Sequence, residues 1–135
     1  MSKTIVISAA LIDDGRGRVL LVRKRGTAAF MQAGGKIDPG ETPFEALARE
    51  LDEELGHRPA PGDVAFLGTF AADAANEPGC RLEAHLFHLR APGRAFRIAA
   101  ELEAAVWVSI AAAEELCLAP FTRDHVLPFA RRMLT

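Results

Sequence analysis

The segment GGKIDPGETPFEALARELDEELG, Gly34 to Gly56, places Glu50, Asp52, Glu53 and Glu54 within five consecutive positions. Carboxylates crowded on a helix repel one another, by roughly 0.2–0.5 kcal/mol for each i,i+4 pair, so the pattern needs either solvent or a counter-charge. Projected at about 100° per residue, Phe44, Leu47, Leu51 and Leu55 form one apolar stripe that must be buried. Glu50, Glu53 and Glu54 converge on an adjoining arc, while Asp52 points elsewhere and is solvated. Arg49 stands one turn before Glu53 and can pair with it, but one guanidinium cannot neutralise three carboxylates. A hard divalent cation with oxygen ligands can, and Mg²⁺ in particular bridges a few carboxylates to substrate phosphates. From the helix alone, a metal site and a merely solvated acidic face both remain open.

The elements that would position this helix are legible around it. Thr42, Pro43 and Glu45 spell a capping box with proline at the first helical position, and Gly56 is placed to end the helix. Upstream, KTIVISAALI (3–12) and RVLLVRKR (18–25) read as strands joined by DDGRG turn chemistry. Residues 26–41, with Gly26, Gly34, Gly35, Pro39 and Gly40, read as a loop. Downstream, 64–70, 81–90 and 104–110 read as strands, with a polar loop around DAANEPG and Trp107 packed in the core. A short helix around 111–117 and a last one near 123–134 complete an α/β (α+β) pattern: a mixed sheet with helices packed on it.

At 135 residues the chain is expected to be one domain spanning 1–135. Sixteen Lys+Arg against eighteen Asp+Glu give a net charge of −2, so no basic field advertises nucleic-acid binding. No apolar run reaches the ~18 residues of a membrane span, and the N-terminal stretch has no cleavage-site pattern. Cys80 and Cys117 lie far apart without CxxC spacing, as expected of reduced thiols. The expected location is cytoplasmic.

Counted from Gly35, the chain reads Gly, five residues, Glu41, seven residues, then Arg49-Glu50-Leu51-Asp52-Glu53-Glu54-Leu55-Gly56. This resembles the Nudix box, G-x5-E-x7-R-E-U-x-E-E-x-G-U with U a bulky aliphatic residue. The last position alone departs, with His57 in place of the aliphatic residue. At roughly 5–7% usage per residue type, seven exact matches arise by chance below about once in 10⁷ starting points. The resemblance implies a Nudix-like α/β/α sandwich and hydrolysis of a nucleoside diphosphate linked to another group, with Mg²⁺ or Mn²⁺. It implies Glu50, Glu53 and Glu54 as metal ligands, with Glu50 or a neighbouring glutamate accepting a proton from the attacking water. Arg49 would orient the carboxylates, Glu41 would support the same network, and the carbonyl of Gly35 would be a further ligand. In relatives a region like that before the Trp107 strand supplies an extra ligand, which here points to Glu101 rather than Glu103.

For substrate binding, Arg23 and Lys24 end the second strand and Lys36 lies inside the motif, where basic residues face phosphates in the family. Arg23 and Lys24 point to opposite faces of a strand, so at most one of them does so. Phe30, Phe66, Phe70 and Phe121 are candidates to stack on a base, with core packing as the ordinary alternative. Thr122, Arg123 and Asp124 in APFTRDH offer hydrogen bonds near where MutT-like relatives read the base. His85 and His88 project to opposite strand faces and share no metal. FMQAGGK departs from the family's frequent LPGG: Ala33 removes a rigid φ, and Gln32 is left free to donate to substrate.

The short chain and early motif resemble the MutT-like enzymes, which implies cleavage of a (d)NTP to a nucleoside monophosphate and pyrophosphate. The alternatives are an ADP-ribose or nucleotide-sugar pyrophosphatase and a non-catalytic nucleotide-binding regulator, although regulators often lack motif glutamates that this chain keeps. The expected partner is a small-molecule nucleotide, with no nucleic acid or membrane, and the expected state is a monomer or homodimer.

Overall fold

The computed structural model describes residues 3–92 and 94–134. Its strands are β1 (Lys3–Asp13), β2 (Arg18–Lys24), β3 (Ala33–Lys36), β4 (Val64–Asp73), β5 (Cys80–Arg90) and β6 (Leu102–Ser109). The α-helices are α1 (Pro43–Leu55), α2 (Ile110–Ala113) and α3 (Leu127–Leu134), the last entered through a π-helical turn, Thr122–Val126. The strands form one mixed sheet in the order β4-β5-β1-β2-β6, with β3 paired to β1 off that path. β1 runs parallel to β5 along its whole length, and every other pairing is antiparallel.

Alternation along β1 sorts the core into two layers, because successive side chains face opposite sides. Ala9 and Leu11 join Val19, Leu21, Ala84 and Leu86 under the C-terminal helix, whose Val126, Leu127 and Ala130 are buried against them. Ala10 and Ile12 join Leu20, Val22, Phe87 and Leu89 under α1, which contributes Leu47, Leu51 and Leu55. Each of those leucines is at most 1% exposed, and full burial of such a side chain is worth about 1.5–3 kcal/mol. The result is the expected α/β/α sandwich. Trp107 is half-buried at the margin of the α1 layer, with its indole N–H donating to the Arg94 carbonyl over 3.3 Å.

The reading of 26–41 as loop throughout needs correction. Residues 33–36 form β3, paired with β1 from Ile7↔Lys36 to Ala10↔Ala33. AGGK has no strand propensity of its own, and its order comes from the partner. Gly34 adopts φ 142°, and a Cβ there would stand 2.1 Å from the Ser8 carbonyl oxygen, so no other residue fits the close approach. We expect Gly34→Ala to destabilise the protein by more than ~1 kcal/mol, read as a lower urea midpoint; an unchanged midpoint would mean that β3 is not held in this pairing. β1 therefore meets two neighbours on one edge in succession, β3 along 7–10 and then β2 at Asp13↔Val19, and the sheet forks between them.

Two helices differ in detail from expectation. The helix expected over 111–117 is a single turn, Ile110–Ala113, started by the Ser109 hydroxyl accepting from Ala112 N–H. The one expected near 123–134 begins with the wider π turn, within which Thr122 is fully buried and donates to Gln32 across the core.

Candidate functional site

α1 starts and stops where its sequence dictates. The Thr42 hydroxyl accepts from Glu45 N–H at 3.1 Å, and the Glu45 carboxylate accepts from Thr42 N–H at 2.8 Å. Gly56 closes the helix at φ 68°, its N–H donating to the Asp52 carbonyl. Ser8 adds a tie that the sequence did not reveal, donating its hydroxyl to the Pro43 carbonyl at 2.6 Å and so fixing the start of the helix on β1. Buried Ala33 packs in the same layer as Leu47, Leu51 and Leu55, and this brings the glycines of β3 against the acidic arc.

The three glutamates sit at graded depths. Glu54 is 2% exposed, and the one hydrogen bond to its carboxylate among the described residues comes from Gly34 N–H at 3.0 Å. Burial, with further repulsion from Glu50, pushes its carboxyl up to about 8 against the opposing Gly34 bond. Glu50 is mostly buried, and a Cβ on Gly35 would lie 2.4 Å from its Oε2, so glycine is what lets the carboxylate lie against the main chain. Burial raises the Glu50 carboxyl too, with Arg49 opposing. Glu53 is half exposed.

Arg49 is the hub. Its Nε and Nη2 donate to both oxygens of Glu41 at 2.8 Å, its Nη1 to Glu50 at 3.0 Å, and its Nη2 to the Lys36 carbonyl at 3.0 Å. Glu53 and Asp38 lie at 3.7 and 3.3 Å. The bidentate fork holds the Glu41 carboxyl down to about 2. Asp52 is exposed and pairs with Arg58 at 3.5 Å, apart from this cluster.

Beside β3 a cavity of about 130 Å³ opens, lined by Gly34, Gly35, Lys24, Gln32, Lys36 and Met31, by Ile5, Ile7 and Leu82, and by loop residues 74–77. Among the described residues no group of three or more Asp, Glu, His or Cys is gathered tightly enough to hold a metal ion. The donor chemistry nevertheless fits a hard cation. The oxygens of Glu50 and Glu54 are desolvated against glycine backbone, no cationic side chain among the described residues is bonded to the Glu54 carboxylate, and Lys24 acts on both through space.

The other candidates divide. Lys24 and Lys36 line the cavity, Lys24 paired with Glu101 at 3.4 Å and Lys36 with Glu77 at 3.5 Å. Arg23 turns away, bonded to the Thr27 carbonyl and Glu103 and lying 5.8 Å from the Phe30 ring centroid. Phe30 packs against the layer under the C-terminal helix and does not line the cavity. Gln32 does line it, but its amide is engaged by the Ala10 carbonyl at 3.1 Å and the Thr122 hydroxyl at 3.0 Å. Thr122 is fully buried behind Gln32. Asp124 is tied to Arg123, which lines a different cavity with Glu114, Leu127 and Arg131. Phe121 is core, Phe70 packs on it, and Phe66 is 56% exposed on the edge strand β4. His88 pairs with Asp13 and His85 with Glu83, on opposite faces as expected. Sequence reasoning missed loop 74–77 and the walls Ile5, Ile7 and Leu82. The β1 alternation could have indicated Ile5 and Ile7; nothing local marks the loop.

The NUDIX domain family matches residues 3–128. The chain is 33% identical to the CTP pyrophosphohydrolase of Escherichia coli over 123 residues, 87% of this chain and 85% of that protein. The solution structure of the E. coli ORF135 protein superposes with a TM-score of 0.71 at 30% identity, covering 98% of this chain and 91% of that one. Other matches cover a smaller share of the relative: that to the octanoyltransferase of Myxococcus xanthus, 38% identical over 81% of this chain, spans only about a third of that protein. A family match over nearly the whole chain, with the motif's arginine and glutamates gathered against a glycine strand, means that the chain belongs to the Nudix hydrolase family.

Proposed function

We propose that this chain is a divalent-metal-dependent nucleotide pyrophosphohydrolase that cleaves a (d)NTP to a nucleoside monophosphate and pyrophosphate. The observation that carries the reading is the pair of desolvated carboxylates, Glu50 and Glu54, lying against Gly34 and Gly35, which also floor a cavity edged by Lys24 and Lys36. The CTP pyrophosphohydrolase relative supports the substrate class. We assign the reaction to one domain over 1–135, of which residues 1, 2, 93 and 135 lie outside those described. The reading includes a cytoplasmic setting and a monomer or homodimer; no helix among the described residues is long and apolar enough to cross a membrane.

Glu50, Glu53, Glu54 and the Gly35 carbonyl would hold Mg²⁺ or Mn²⁺, with Glu101 as an additional ligand once released from Lys24. When bound, such an ion neutralises phosphoryl oxygens and acidifies water. The protein's own groups supply the rest. A phosphoanhydride reaction needs alignment and charge stabilisation more than covalent chemistry. Lys24 and Lys36 meet the phosphates, Arg49 with Glu41 keeps the carboxylates in register, and a glutamate of the cluster takes the proton of the attacking water. Gln32 and Thr122 position the wall behind the substrate.

The test is incubation with Mg²⁺ and a panel of nucleoside triphosphates, ADP-ribose and nucleotide sugars, identifying products by chromatography. Monophosphate plus pyrophosphate from a triphosphate is expected. Product from ADP-ribose alone would move the substrate class, and binding without turnover would make the chain a regulator. Mg²⁺ should also raise the melting temperature; at a hundred times its Kd the linkage is worth about 2.7 kcal/mol. No shift at millimolar Mg²⁺ would remove the proposed ion site.

A further inference from the structure

Lys24 stands between the cavity and the acidic arc. It lines the cavity with Gly34 and Gly35, and the one ion pair it makes among the described residues is with Glu101, at 3.4 Å. Burial raises the carboxyls of Glu50 and Glu54, and the Lys24 ammonium opposes that rise in both through space. One ammonium thus bears on three carboxylates, two of them mostly buried.

The backbone around Glu101 is pinned on two sides. Its carbonyl accepts from Arg25 N–H at 2.8 Å, next to Lys24, and Ala99 N–H donates to the Glu54 carbonyl at 2.9 Å. Between these ties Ala100 adopts φ 55°, the one positive φ outside glycine among the described residues. Such a conformation persists only where its surroundings hold it. The ion pair is loose by contrast. Its side chains are 33% and 63% exposed, and a pair so open to solvent contributes little. Glu101 can leave Lys24 by side-chain rotation alone, without movement of β2, β6 or α1.

We propose that Lys24 is the resident counter-ion of the acidic arc and exchanges with the divalent cation, Glu101 passing from the ammonium to the metal. The exchange rests on the reading of the chain as a metal-dependent pyrophosphohydrolase. It adds a competition to that reading: the lysine that opposes cation binding is the one released to meet the phosphates. One side chain then couples the two ligands, and the coupling acts equally in both directions.

Calorimetric titration of the nucleotide-free protein with Mg²⁺ alone tests this at pH 8.5, above the value of about 8 for Glu54. Lys24→Met should tighten the Mg²⁺ Kd about 3- to 10-fold, by removing a like charge and an ion pair that must otherwise break. Lys24→Arg keeps the charge and should not tighten it. Lys36→Met, whose ammonium is paired with Glu77 instead, should leave the Kd within about 2-fold. In a Glu101→Gln background the gain from Lys24→Met should shrink to about 2-fold or less, the mark of two groups acting as a pair. Steady-state kinetics supply a second readout of opposite sign. Lys24→Met should reach half its maximal rate at lower Mg²⁺ yet show a higher KM for a nucleoside triphosphate, whereas mere structural damage would worsen both. A Mg²⁺ Kd unchanged or weakened by Lys24→Met would overturn the exchange while leaving the metal site standing. Equal tightening with and without Glu101 would also overturn it, since Lys24 would then be only a fixed charge. No binding of millimolar Mg²⁺ to wild type or variant would remove the metal-dependent reading, and the exchange with it.

Discussion

Glu54→Gln is expected to cut turnover at least ~10²-fold, the scale of losing a positioned catalytic group, while making the metal-free protein more stable at alkaline pH. The two effects have one origin. The Glu54 carboxylate is buried with only the Gly34 amide bonded to it among the described residues, and burial raises its carboxyl to about 8 from an ordinary 4.5. Between those two pH values the folded state holds a proton that the unfolded state has released. Stability therefore falls as pH rises through that window. Glutamine is neutral throughout and can still accept from Gly34, so the slope disappears. Unfolding in chelator at pH 5.5 and 8.5 measures it: the wild type should lose stability at the higher pH relative to the variant, by a few degrees of melting temperature for each kcal/mol. A variant equally active, or less stable than the wild type at pH 8.5, would refute the assignment. Glu53→Gln should match the loss of turnover without the gain in stability, because Glu53 is half exposed.

Replacing Arg49 should be the next most damaging change, and lysine should not rescue it. One guanidinium binds Glu41 through two nitrogens, reaches Glu50 and accommodates the Lys36 carbonyl. An ammonium has no fork with which to do this. Without it, Glu50 turns from Gly35 and the acidic arc repels itself; we expect Arg49→Ala and Arg49→Lys each to lower kcat by about 10- to 100-fold, with KM less affected. The acid limb moves as well. Glu41 titrates near 2, below its ordinary 4.5, so its contribution to stability is present above that ordinary value and is lost as pH falls toward 2. Arg49→Ala removes the depression, and acid unfolding should then begin at higher pH. Wild-type kcat in Arg49→Lys would show that charge alone suffices.

The helix that carries these groups was legible residue by residue because its signals are local. Thr42, Pro43, Glu45 and Gly56 act within one turn of themselves, and the stripe of Leu47, Leu51 and Leu55 is a matter of period. The sheet strands were legible for the same reason, apart from their ends. β3 was not, because two glycines in four residues look like a loop, and only the Ser8–Ala10 stretch of β1 gives them a strand's conformation. Lys24 lines the cavity and Arg23 does not, and the pairing with β6 shifts register between them, from Ala104 to Leu102, which strand alternation in the sequence does not reveal. Gln32 and Thr122 are ninety residues apart and meet only in the folded core. The loop 74–77 carries no signature at all; its position beside the cavity follows from its being strapped to a strand it does not adjoin in sequence.

The fork in the sheet has a further consequence. Along residues 7–10, β1 holds the glycine strand on one edge and β5 on the other; Ile7 lines the cavity, Ala9 lies in the layer under the C-terminal helix, Ser8 bonds the start of α1 and Ala10 lies in the layer beneath it. One short run of chain thus bears on both the cavity wall, through Ile7, and the helix that carries the carboxylates, through Ser8 and Ala10. Substitutions there should resist sorting into those that weaken the protein and those that slow it, and compensating second changes are to be sought in β3 and α1 before any loop.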